Sequence, residues 1–464
     1  MAYIGKTPVI GNFVKLDSIT VVNGQAAYTM QNGGVNFTSY DNVNQFLVSL
    51  NGVLQAPTDS FTVSGSTLTF ASNLSTGDVI DFVLVLGNSL DIGTPSDNTV
   101  TAAKIANDAV TPAKLGYDYN QYRNIIINGD MSIAQRATSV SSITSSAYRT
   151  VDRWYHNVTT MGTWTLSQST DVPSGQGFAK SVKWDCTTAD ASPSGTDRIM
   201  FQQYIEGQNL QYLKKGTSNA ESLTLSFWVK SSKTGTYICE LRDMDNSRHI
   251  SKSYTISAAN TWEKKTITYD GDTTGAFDND NATSLRLNFW LGTSSTYSSG
   301  TLATSWSSYV DANRAVGQVN LADDTANNFW ITGVQLEAGT SASDFEFLPH
   351  DVNRDRCLRY LQIIGKGDGN VENIVMNGYN SSLCYGNFQL EKKMRTTPSV
   401  TFPTTNTQLY NNGAARTISN LAVGSPSASS ASFDISGSGW SGGQSLHLNS
   451  SDTTNGFMKV ESEL

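Results

Sequence analysis

The sequence predicts an all-β protein, and four observations lead to this fold class. Hydrophobic residues make up 38% of the 464 residues and charged residues only 15%. Roughly three residues in ten are Ser, Thr or Asn, which suits strands joined by tight turns better than helices. The 18 Phe, 19 Tyr and 9 Trp can bury enough area to form ordered cores. Many short segments also alternate between apolar and polar residues, with Gly, Asn and Ser between them.

Charge and apolar runs argue against two classes of partner. The formal net charge is −9, and nucleic-acid binding draws most of its affinity from basic patches, so no nucleic acid is expected. No apolar run approaches the roughly 20 residues that span a bilayer, so no membrane insertion is expected. Residues 1–11 lack the basic flank and apolar core of a secretion signal. The four widely spaced cysteines are expected to be buried thiols.

Residues 1–90 predict a small β domain. The segment Phe46–Leu50 alternates and is followed by Asn51-Gly52, the preferred two-residue hairpin turn. A second hairpin is predicted at 61–70, where alternating segments flank a Ser-Gly-Ser turn. The run 79–86 is apolar at nearly every position, so this strand is expected to be covered on both faces.

Residues 91–117 contain a ten-residue repeat, in which VTAAKI at 100–105 is echoed by VTPAKL at 110–115. Each copy predicts one short helical turn that begins at its Thr. Such a turn is marginal alone in water, so it needs partners, and two further copies of the chain are the simplest source. A plain flexible linker is the alternative. The candidate trimer contacts are the apolar residues Val100, Ile105, Val110 and Leu115.

Residues 118–349 form the largest predicted unit. The segments 223–230 and 285–291 alternate with period two, and turn-rich segments such as 231–235 and 270–275 separate the strands. Many short strands with regular turn signals are typical of a β-sandwich of the jelly-roll type.

Residues 350–464 are predicted to contain a short helix followed by a β-sandwich tip. Asp351 is the expected cap, and Cys357, Leu358, Leu361 and Ile364 form one apolar stripe. Short strands are expected at 383–390, 399–402, 431–435, 445–448 and 457–460.

The sequence contains no convincing catalytic, metal or cofactor motif, so none is predicted. The four histidines lack zinc-ligand spacing, and no nucleophile elbow or phosphate loop occurs. Glycan cleavage needs only two well-placed carboxylates. The pairs Asp243/Asp245, Asp278/Asp280 and Asp323/Asp324 all lie in turn-rich stretches, where Asp commonly bonds the local backbone. Calcium at 278–281 is a further alternative, because oxygen-rich loops suit hard cations.

Aromatic side chains offer a route to sugar binding. Sugars present apolar C–H faces and hydroxyl rims, which match exposed Trp or Tyr beside small polar residues. Trp440 lies in a Ser/Gly segment, 436–443, without apolar neighbours, and is therefore expected at the surface. The Trp residues at 154, 228, 262, 290 and 330 are expected in the core. The glycan-binding candidates are Trp440, Tyr379, Tyr385, Tyr410 and His447.

Several stretches resemble tail fibre proteins of tailed bacteriophages. The sequence NIIINGDMSIAQR at 124–136, followed by Asp152-Arg153-Trp154, resembles the opening of their jelly-roll domain. Segments 201–207 and 223–230 resemble its central strands, and the sequence TGVQLEAG at 332–339 resembles its close. The jelly roll also resembles carbohydrate-binding modules, although no binding residue transfers by motif.

Two further parts of the chain resemble the same proteins. The residues Cys357 to Tyr360 and the segment 394–400 resemble the C-terminal part of these fibres. The hairpins at 46–86 and the Thr-x-Ala-Lys repeat are similar to the head-proximal part of marine podovirus (cyanophage-like) fibres.

The resemblance implies a homotrimeric virion tail fibre assembled in the host cytoplasm. Its N-terminal domain would attach to adaptor or nozzle proteins of the tail, and residues 350–464 would recognise host polysaccharide or lipopolysaccharide without catalysis. An adaptor fibre that bridges the tail to a separate receptor-binding protein is the first alternative. A polysaccharide depolymerase is the second, weakened because no long β-helix repeat occurs in the sequence.

Overall fold

The computed structural model describes residues 13–86, 105, 122–365, 374–402, 407–450 and 458–464. In these residues the protein is all-β, as the composition predicts. The chain divides into two compact units, Met1–Gly116 and Tyr117–Leu464, which are described separately below. All four cysteines lie in the described ranges and are buried free thiols.

The first unit contains two small sheets and a short hairpin. The larger sheet has the order β1-β9-β5-β6, the smaller one has the order β2-β8-β7, and β3 pairs with β4. Asn51 and Gly52 join β5 to β6 with φ of 53° and 78°, the left-handed pair that this hairpin turn requires. Both predicted hairpins are therefore confirmed. The strands are β1 Phe13–Lys15, β2 Gln25–Thr29, β3 Gln31–Asn32, β4 Val35–Asn36, β5 Phe46–Leu50, β6 Val53–Leu54, β7 Phe61–Ser64, β8 Thr67–Leu74 and β9 Ile80–Leu86.

The larger sheet of this unit has one buried and one open apolar face. Phe46 and Val83 point into the core, whereas Leu47, Leu54 and Phe13 are exposed. The expectation that the strand at 79–86 is covered on both faces is therefore not met by the described residues. The second face is apolar and only partly covered in the described residues.

The second unit begins with a β-sandwich whose two sheets share one bent strand, β11. Its first half, 155–159, pairs with β13, and its second half, 163–169, pairs with β12. Thr160 and Gly162 lie between the halves with φ of 49° and 71°, so the strand turns and crosses from one sheet to the other. The strands are β10 Ser139–Tyr148, β11 Tyr155–Ser169, β12 Ser181–Thr188, β13 Arg198–Glu206, β14 Leu223–Ser231, β15 Gly235–Asp243, β16 Arg248–Ile256, β17 Glu263–Tyr269, β18 Thr283–Thr293, β19 Ser307–Ser308 and β20 Asn328–Ala338.

The bend separates the strands into two layers. Sheet I contains β17-β14-β20-β12, and sheet II contains β13-β18-β15-β16-β19. Their inner faces meet where Phe227 of sheet I contacts Phe289 and Tyr254 of sheet II, each with ring centroids 5.0 Å away. The predicted alternation at 223–230 and 285–291 is thus the alternation of a sandwich core.

In its described residues, the C-terminal part contains one α-helix, α1 His350–Leu358, and a closed barrel with the order β22-β23-β27-β26-β25-β28. The region predicted as a β-sandwich tip is all-β as expected, with six of its strands closed into this barrel. The strands are β21 Leu361–Ile364, β22 Ile374–Gly378, β23 Leu383–Gln389, β24 Ser399–Thr401, β25 Thr407–Asn411, β26 Ala414–Val423, β27 Ser430–Ser438, β28 Ser445–Ser450 and β29 Met458–Glu461. Short 3-10 helices lie at Val43–Gln45, Gly207–Asn209, Gln211–Leu213, Ser295–Tyr297, Asp311–Asn313 and Leu321–Asp323.

The predicted helix is shorter than its apolar stripe. It ends at Leu358, and Leu361 and Ile364 lie in β21, which pairs with β29. The expected cap Asp351 is a helix residue, because the helix begins after Pro349. The apolar stripe in the sequence extends beyond the helix because the buried strand β21 that follows also carries apolar residues.

Candidate functional site

The barrel presents alternate residues to its core and to its outer surface. Ile374, Met376 and Gly378 of β22 are buried, whereas Val375 and Asn377 between them are exposed. The same alternation along β23 places Tyr385 outside. Outward side chains of neighbouring strands therefore meet on one outer surface.

Strand register brings the outward residues into two adjacent rows. Asn377 lies opposite Tyr385, and Tyr385 lies opposite Asp434. In the next row Val375 lies opposite His447, and His447 lies opposite Tyr410. We call the surface formed by these two rows the barrel face. Three of the five sequence-predicted residues, Tyr385, Tyr410 and His447, lie on it.

A fourth predicted residue, Tyr379, extends the barrel face at its edge. Tyr379 is 66% exposed and Tyr385 is 42% exposed. Their ring centroids are 5.4 Å apart and the rings are tilted by 58°. Tyr410 is half-buried, and its hydroxyl is hydrogen-bonded to Gln408. The barrel face thus combines an exposed aromatic pair with neighbouring amide and carboxylate groups.

A shallow groove of about 660 Å³ lies on the barrel face. Gly424 keeps it open, because a Cβ there would lie 2.9 Å from Ser432 Oγ and 3.2 Å from Asp434 Oδ1. Asp434 is the single carboxylate of the lining and no basic side chain accompanies it, so the groove carries one negative charge among neutral polar groups. The lining residues are Val375, Asn377, Tyr385, Gly386, Asn387, Gly424, Ser425, Ser432 and Asp434.

Trp440 is buried, which corrects the prediction of a surface role. It is only 4% exposed, and its indole Nε1 donates to the carbonyl of Leu383 at 3.4 Å. The indole fits against two glycines: a Cβ on Gly437 would lie 2.7 Å from Trp440, and a Cβ on Gly378 would lie 3.2 Å from it. The Ser/Gly segment therefore forms a slot for the ring.

The carboxylate pairs considered for glycan cleavage form local ion pairs and hydrogen bonds. Asp243 is buried and pairs with Lys215 at 2.6 Å, and Asp323 pairs with Lys233 at 2.5 Å. In the segment considered for calcium, Asp280 accepts from the amide of Ala282 at 2.9 Å. Within the described ranges, no group of three or more His, Cys, Asp or Glu is arranged to hold a metal ion.

The tryptophans of the sandwich divide between its core and its outer surface. Trp154 and Trp290 are buried, as predicted. Trp228, Trp262 and Trp330 are only half-buried, which corrects their assignment to the core. They lie on or beside the outer face of sheet I, where period-two alternation puts every second side chain outside.

The candidate trimer contacts lie mostly outside the described residues. Val100, Val110 and Leu115 fall in undescribed stretches, and Ile105 is 41% exposed. None of the helices in the described residues is long and apolar enough to cross a membrane.

The segment at 124–136 that resembles tail fibres has a structural role. Asn128 has φ of 56°, and its amide donates to the carbonyls of Ile133 and Asp152 at 2.9 and 3.0 Å. Trp154 donates to the carbonyl of Asn128 at 3.0 Å and stacks on Phe201 with centroids 4.3 Å apart. These residues fix the entry of the chain into the sandwich.

The fold defines a β-sandwich protein with a C-terminal β-barrel. No family model and no curated protein matches the sequence. Among solved structures, the chain is similar to the enzymatically active domain of tailspike protein 4 of bacteriophage CBA120, with 17% identity and a TM-score of 0.25. That match covers 47% of this chain and 22% of the tailspike chain, so the chain spans about a fifth of that protein.

Two further similar structures are a protein described as sugar-binding and a module in complex with a sugar. A putative sugar-binding protein from Bacteroides thetaiotaomicron is 13% identical over 46% of this chain and 99% of its own, with a TM-score of 0.26. The module TmCBM61, in complex with β-1,4-galactotriose, is 10% identical over 47% of this chain and 99% of its own, with a TM-score of 0.25.

Proposed function

We propose that this protein is a non-enzymatic bacteriophage tail fibre that recognises a host-surface glycan through the barrel face. The observation that carries the proposal is the exposed pair Tyr379 and Tyr385, with centroids 5.4 Å apart, beside a groove whose lining is polar and holds one charged side chain. The sequence resemblance at 124–136 and 332–339 supports the assignment to tail fibres.

The chemistry of the barrel face suits a saccharide. A tyrosine ring packs on the apolar C–H face of a sugar, and it loses little conformational entropy because it has only two side-chain torsions. Asn377, Asn387 and Ser432 line the same groove and offer both donors and acceptors to sugar hydroxyls. Asp434 adds one strong acceptor. Amides and hydroxyls of this kind orient a neutral ligand by hydrogen bonds, without requiring a charge on it.

The N-terminal unit supports attachment to a virion. Its larger sheet exposes Leu47, Leu54 and Phe13 on one face, and exposed apolar patches of this kind commonly mark protein contacts. We infer that this face docks on adaptor or nozzle proteins of the phage tail, within a homotrimer. The site of action is then the virion, after assembly in the host cytoplasm.

Competition for host cells tests the proposal. Purified full-length chain is added to susceptible bacteria before the phage, and adsorption is measured together with binding of the labelled chain. We expect binding to cells and reduced adsorption, both abolished when the surface polysaccharide is stripped. A chain that neither binds cells nor slows adsorption overturns the proposal.

Two further measurements separate the alternatives. First, the length distribution of purified host polysaccharide is measured before and after incubation with the protein, and we expect no change. Shortened polysaccharide would identify the protein as a depolymerase. If the barrel instead captures a second virion protein and ignores the polysaccharide, the protein is an adaptor fibre.

A further inference from the structure

Two arginines lie directly opposite each other on the outer face of sheet II. Arg242 of β15 pairs in register with Arg286 of β18, and Arg286 pairs in register with Tyr204 of β13. Residues that are directly opposite in an antiparallel pair have Cβ atoms about 4.5–5.5 Å apart, and like charges there are destabilising. Such a pair needs compensation from a nearby anion.

The described part of the chain does not supply that anion. Neither Arg242 nor Arg286 forms an ion pair there, and the Nε atom of each is buried without a hydrogen-bond partner. A hydrogen bond from Arg286 to the sulfur of Met244, at 3.4 Å, is a weak substitute. Burial lowers the pKa of Arg286, and the charges of Arg242 and Arg314 lower it further.

The neighbouring carboxylates are already engaged. Glu240 is buried two residues before Arg242, and Arg314 donates to its two oxygens at 2.9 and 3.0 Å. The nearby Asp311 accepts from Arg314 at 3.4 Å and from the hydroxyl of Tyr309 at 2.5 Å. Three guanidinium groups therefore face two carboxylates, and both of these carboxylates are bound by Arg314.

Each unpaired guanidinium is held against an aromatic ring. The guanidinium carbon of Arg242 lies 3.8 Å from the ring centroid of Tyr309, and that of Arg286 lies 4.6 Å from the centroid of Tyr204. Stacking fixes the planar groups and leaves the N–H donors at their edges directed away from the rings. Both arginines and both tyrosines are half-buried, so the cluster is accessible from solvent.

We propose that Arg242 and Arg286 form an oxyanion-binding site for the acidic unit of a saccharide, with Tyr204 and Tyr309 as flanking ring contacts. Guanidinium groups bind planar carboxylates with paired, charge-assisted hydrogen bonds, and they bind sulfate esters through the same donors. The anion would cancel the repulsion between the two strands. The saccharide part of this inference rests on the proposed function, whereas the anion site itself stands on the arginine pair.

Titration of the full-length chain with acidic and neutral sugars tests the site. Calorimetry is performed with galacturonate oligomers, with neutral galactose oligomers of equal length, and with inorganic sulfate. We expect the uronate oligomers to bind and the neutral ones to bind at least ten-fold more weakly at this site. Arg242→Gln and Arg286→Gln should each weaken uronate binding at least ten-fold. Sulfate binding with no preference for uronate would reduce the site to a simple anion site and overturn the saccharide assignment.

A matched variant and a stability measurement distinguish this site from a structural role. Arg198→Gln is the control, because Arg198 lies in the same sheet, in β13, and packs on a tyrosine, Tyr297, but has Thr293 rather than a second arginine opposite. It should keep uronate binding. Without ligand, Arg286→Gln should melt at the same temperature as the wild type or higher, since repulsion is removed. A large fall in melting temperature, or uronate binding that is unchanged in both variants, overturns the proposal.

The two glycan hypotheses fail in different ways. If the chain adsorbs to cells in a Tyr385-dependent manner but binds no uronate, this inference alone is wrong. If uronate binds through Arg286 but the chain ignores host cells, the proposed function fails and the oxyanion site stands.

Discussion

The guanidinium carbon of Arg153 lies 3.4 Å from the ring centroid of Tyr360, which joins the entry of the β-sandwich to the residues after helix α1. Arg153 also pairs with Glu463, and the Tyr360 hydroxyl donates to Glu206. Arg359 binds the same Glu206 with two hydrogen bonds, at 2.8 and 2.7 Å. This buried polar cluster couples the sandwich to the C-terminal residues, so the two parts form one compact unit.

The first prediction concerns this cluster. Arg153→Met leaves the buried Glu463 with Arg136 as its remaining ion-pair partner, and it should lower the free energy of unfolding by about 3 kcal/mol. Tyr360→Phe keeps the ring under Arg153 and removes one hydrogen bond to the Glu206 carboxylate, so it should cost less, about 2 kcal/mol. Urea unfolding followed by circular dichroism measures both.

The control for these variants is an exposed ion pair near the same helix. Arg354 pairs with Glu391 at 2.9 Å, and both side chains are exposed. Arg354→Met should change the free energy of unfolding by less than about 1 kcal/mol. Equal losses for Arg153→Met and Arg354→Met would contradict a special role for the buried cluster.

The second prediction is a pH dependence that comes from His156. Burial against Trp184 and Phe201 lowers the pKa of His156 from 6.5 to about 3. The folded state therefore keeps this ring neutral while the unfolded chain protonates it below pH 6.5, so stability falls as the pH falls from about 6.5 to 3. The contribution over this range is on the order of 5 kcal/mol.

His156→Gln should remove this part of the pH dependence. Denaturant unfolding at several pH values between 7 and 4 measures how the free energy of unfolding changes with pH. Carboxylates contribute equally to the variant and the wild type, so the difference between their slopes is the contribution of His156. His350→Gln, at an exposed position, should keep the wild-type slope. If the slopes of wild type and His156→Gln coincide, the buried histidine is not the cause.

The sequence predicted the strands better than it predicted their partners. The alternation at 223–230 identified β14 because the period-two placement of apolar side chains toward the core depends on residues within one strand. The bend of β11 at Gly162 and the barrel closure depend on contacts between residues far apart in sequence, which no local pattern contains. The same limit applies to the Arg242–Arg286 pair, because register between β15 and β18 brings these residues together.

Trp440 illustrates how a local pattern misleads. Its Gly and Ser neighbours suggested exposure, because they offer no apolar surface. In the structure the absence of a Cβ at Gly437 is what lets the indole lie against the backbone, and the apolar contacts come from other strands of the barrel. Tyr385 was chosen for its Asn and Gly neighbours by the same reasoning, and it is exposed because burial alternates along β23 and places it on the outer side.

The third prediction tests this slot. A Cβ on Gly437 would lie 1.9 Å from the carbonyl oxygen of Thr417 and 2.7 Å from Trp440, so Gly437→Ala should destabilise the barrel by about 1–3 kcal/mol. Trp440→Ala should cost about 3–5 kcal/mol. Scanning calorimetry measures the change, and Ser438→Ala, at the exposed neighbouring position, is the control. A stable Trp440→Ala variant with reduced glycan binding would instead restore a surface role for Trp440.

The fourth prediction concerns the barrel face. Tyr385→Ala removes one ring of the exposed pair and should weaken binding to host polysaccharide by about 1–2 kcal/mol, about ten-fold in Kd. Surface plasmon resonance on immobilised polysaccharide measures the loss. Tyr212→Ala removes another exposed tyrosine, on the sandwich, and should bind like the wild type. Equal affinity of Tyr385→Ala and wild type, with melting temperatures unchanged, would remove the barrel face as the site.

The last prediction concerns assembly through the residues around position 105. Ile105 is apolar and 41% exposed in the single chain. The repeat around it is too short to form a stable helix alone. Burial against two other copies would remove this exposure, so multi-angle light scattering should give three times the mass of one chain. Ile105→Lys places a charge at that contact and should shift the mass towards one chain.

Leu54→Lys, on the open face of the first unit, should keep the three-chain mass while reducing incorporation into particles, because we assign that face to the tail. A one-chain mass for the wild type contradicts the trimer, and a Leu54→Lys chain that is incorporated normally contradicts the docking face.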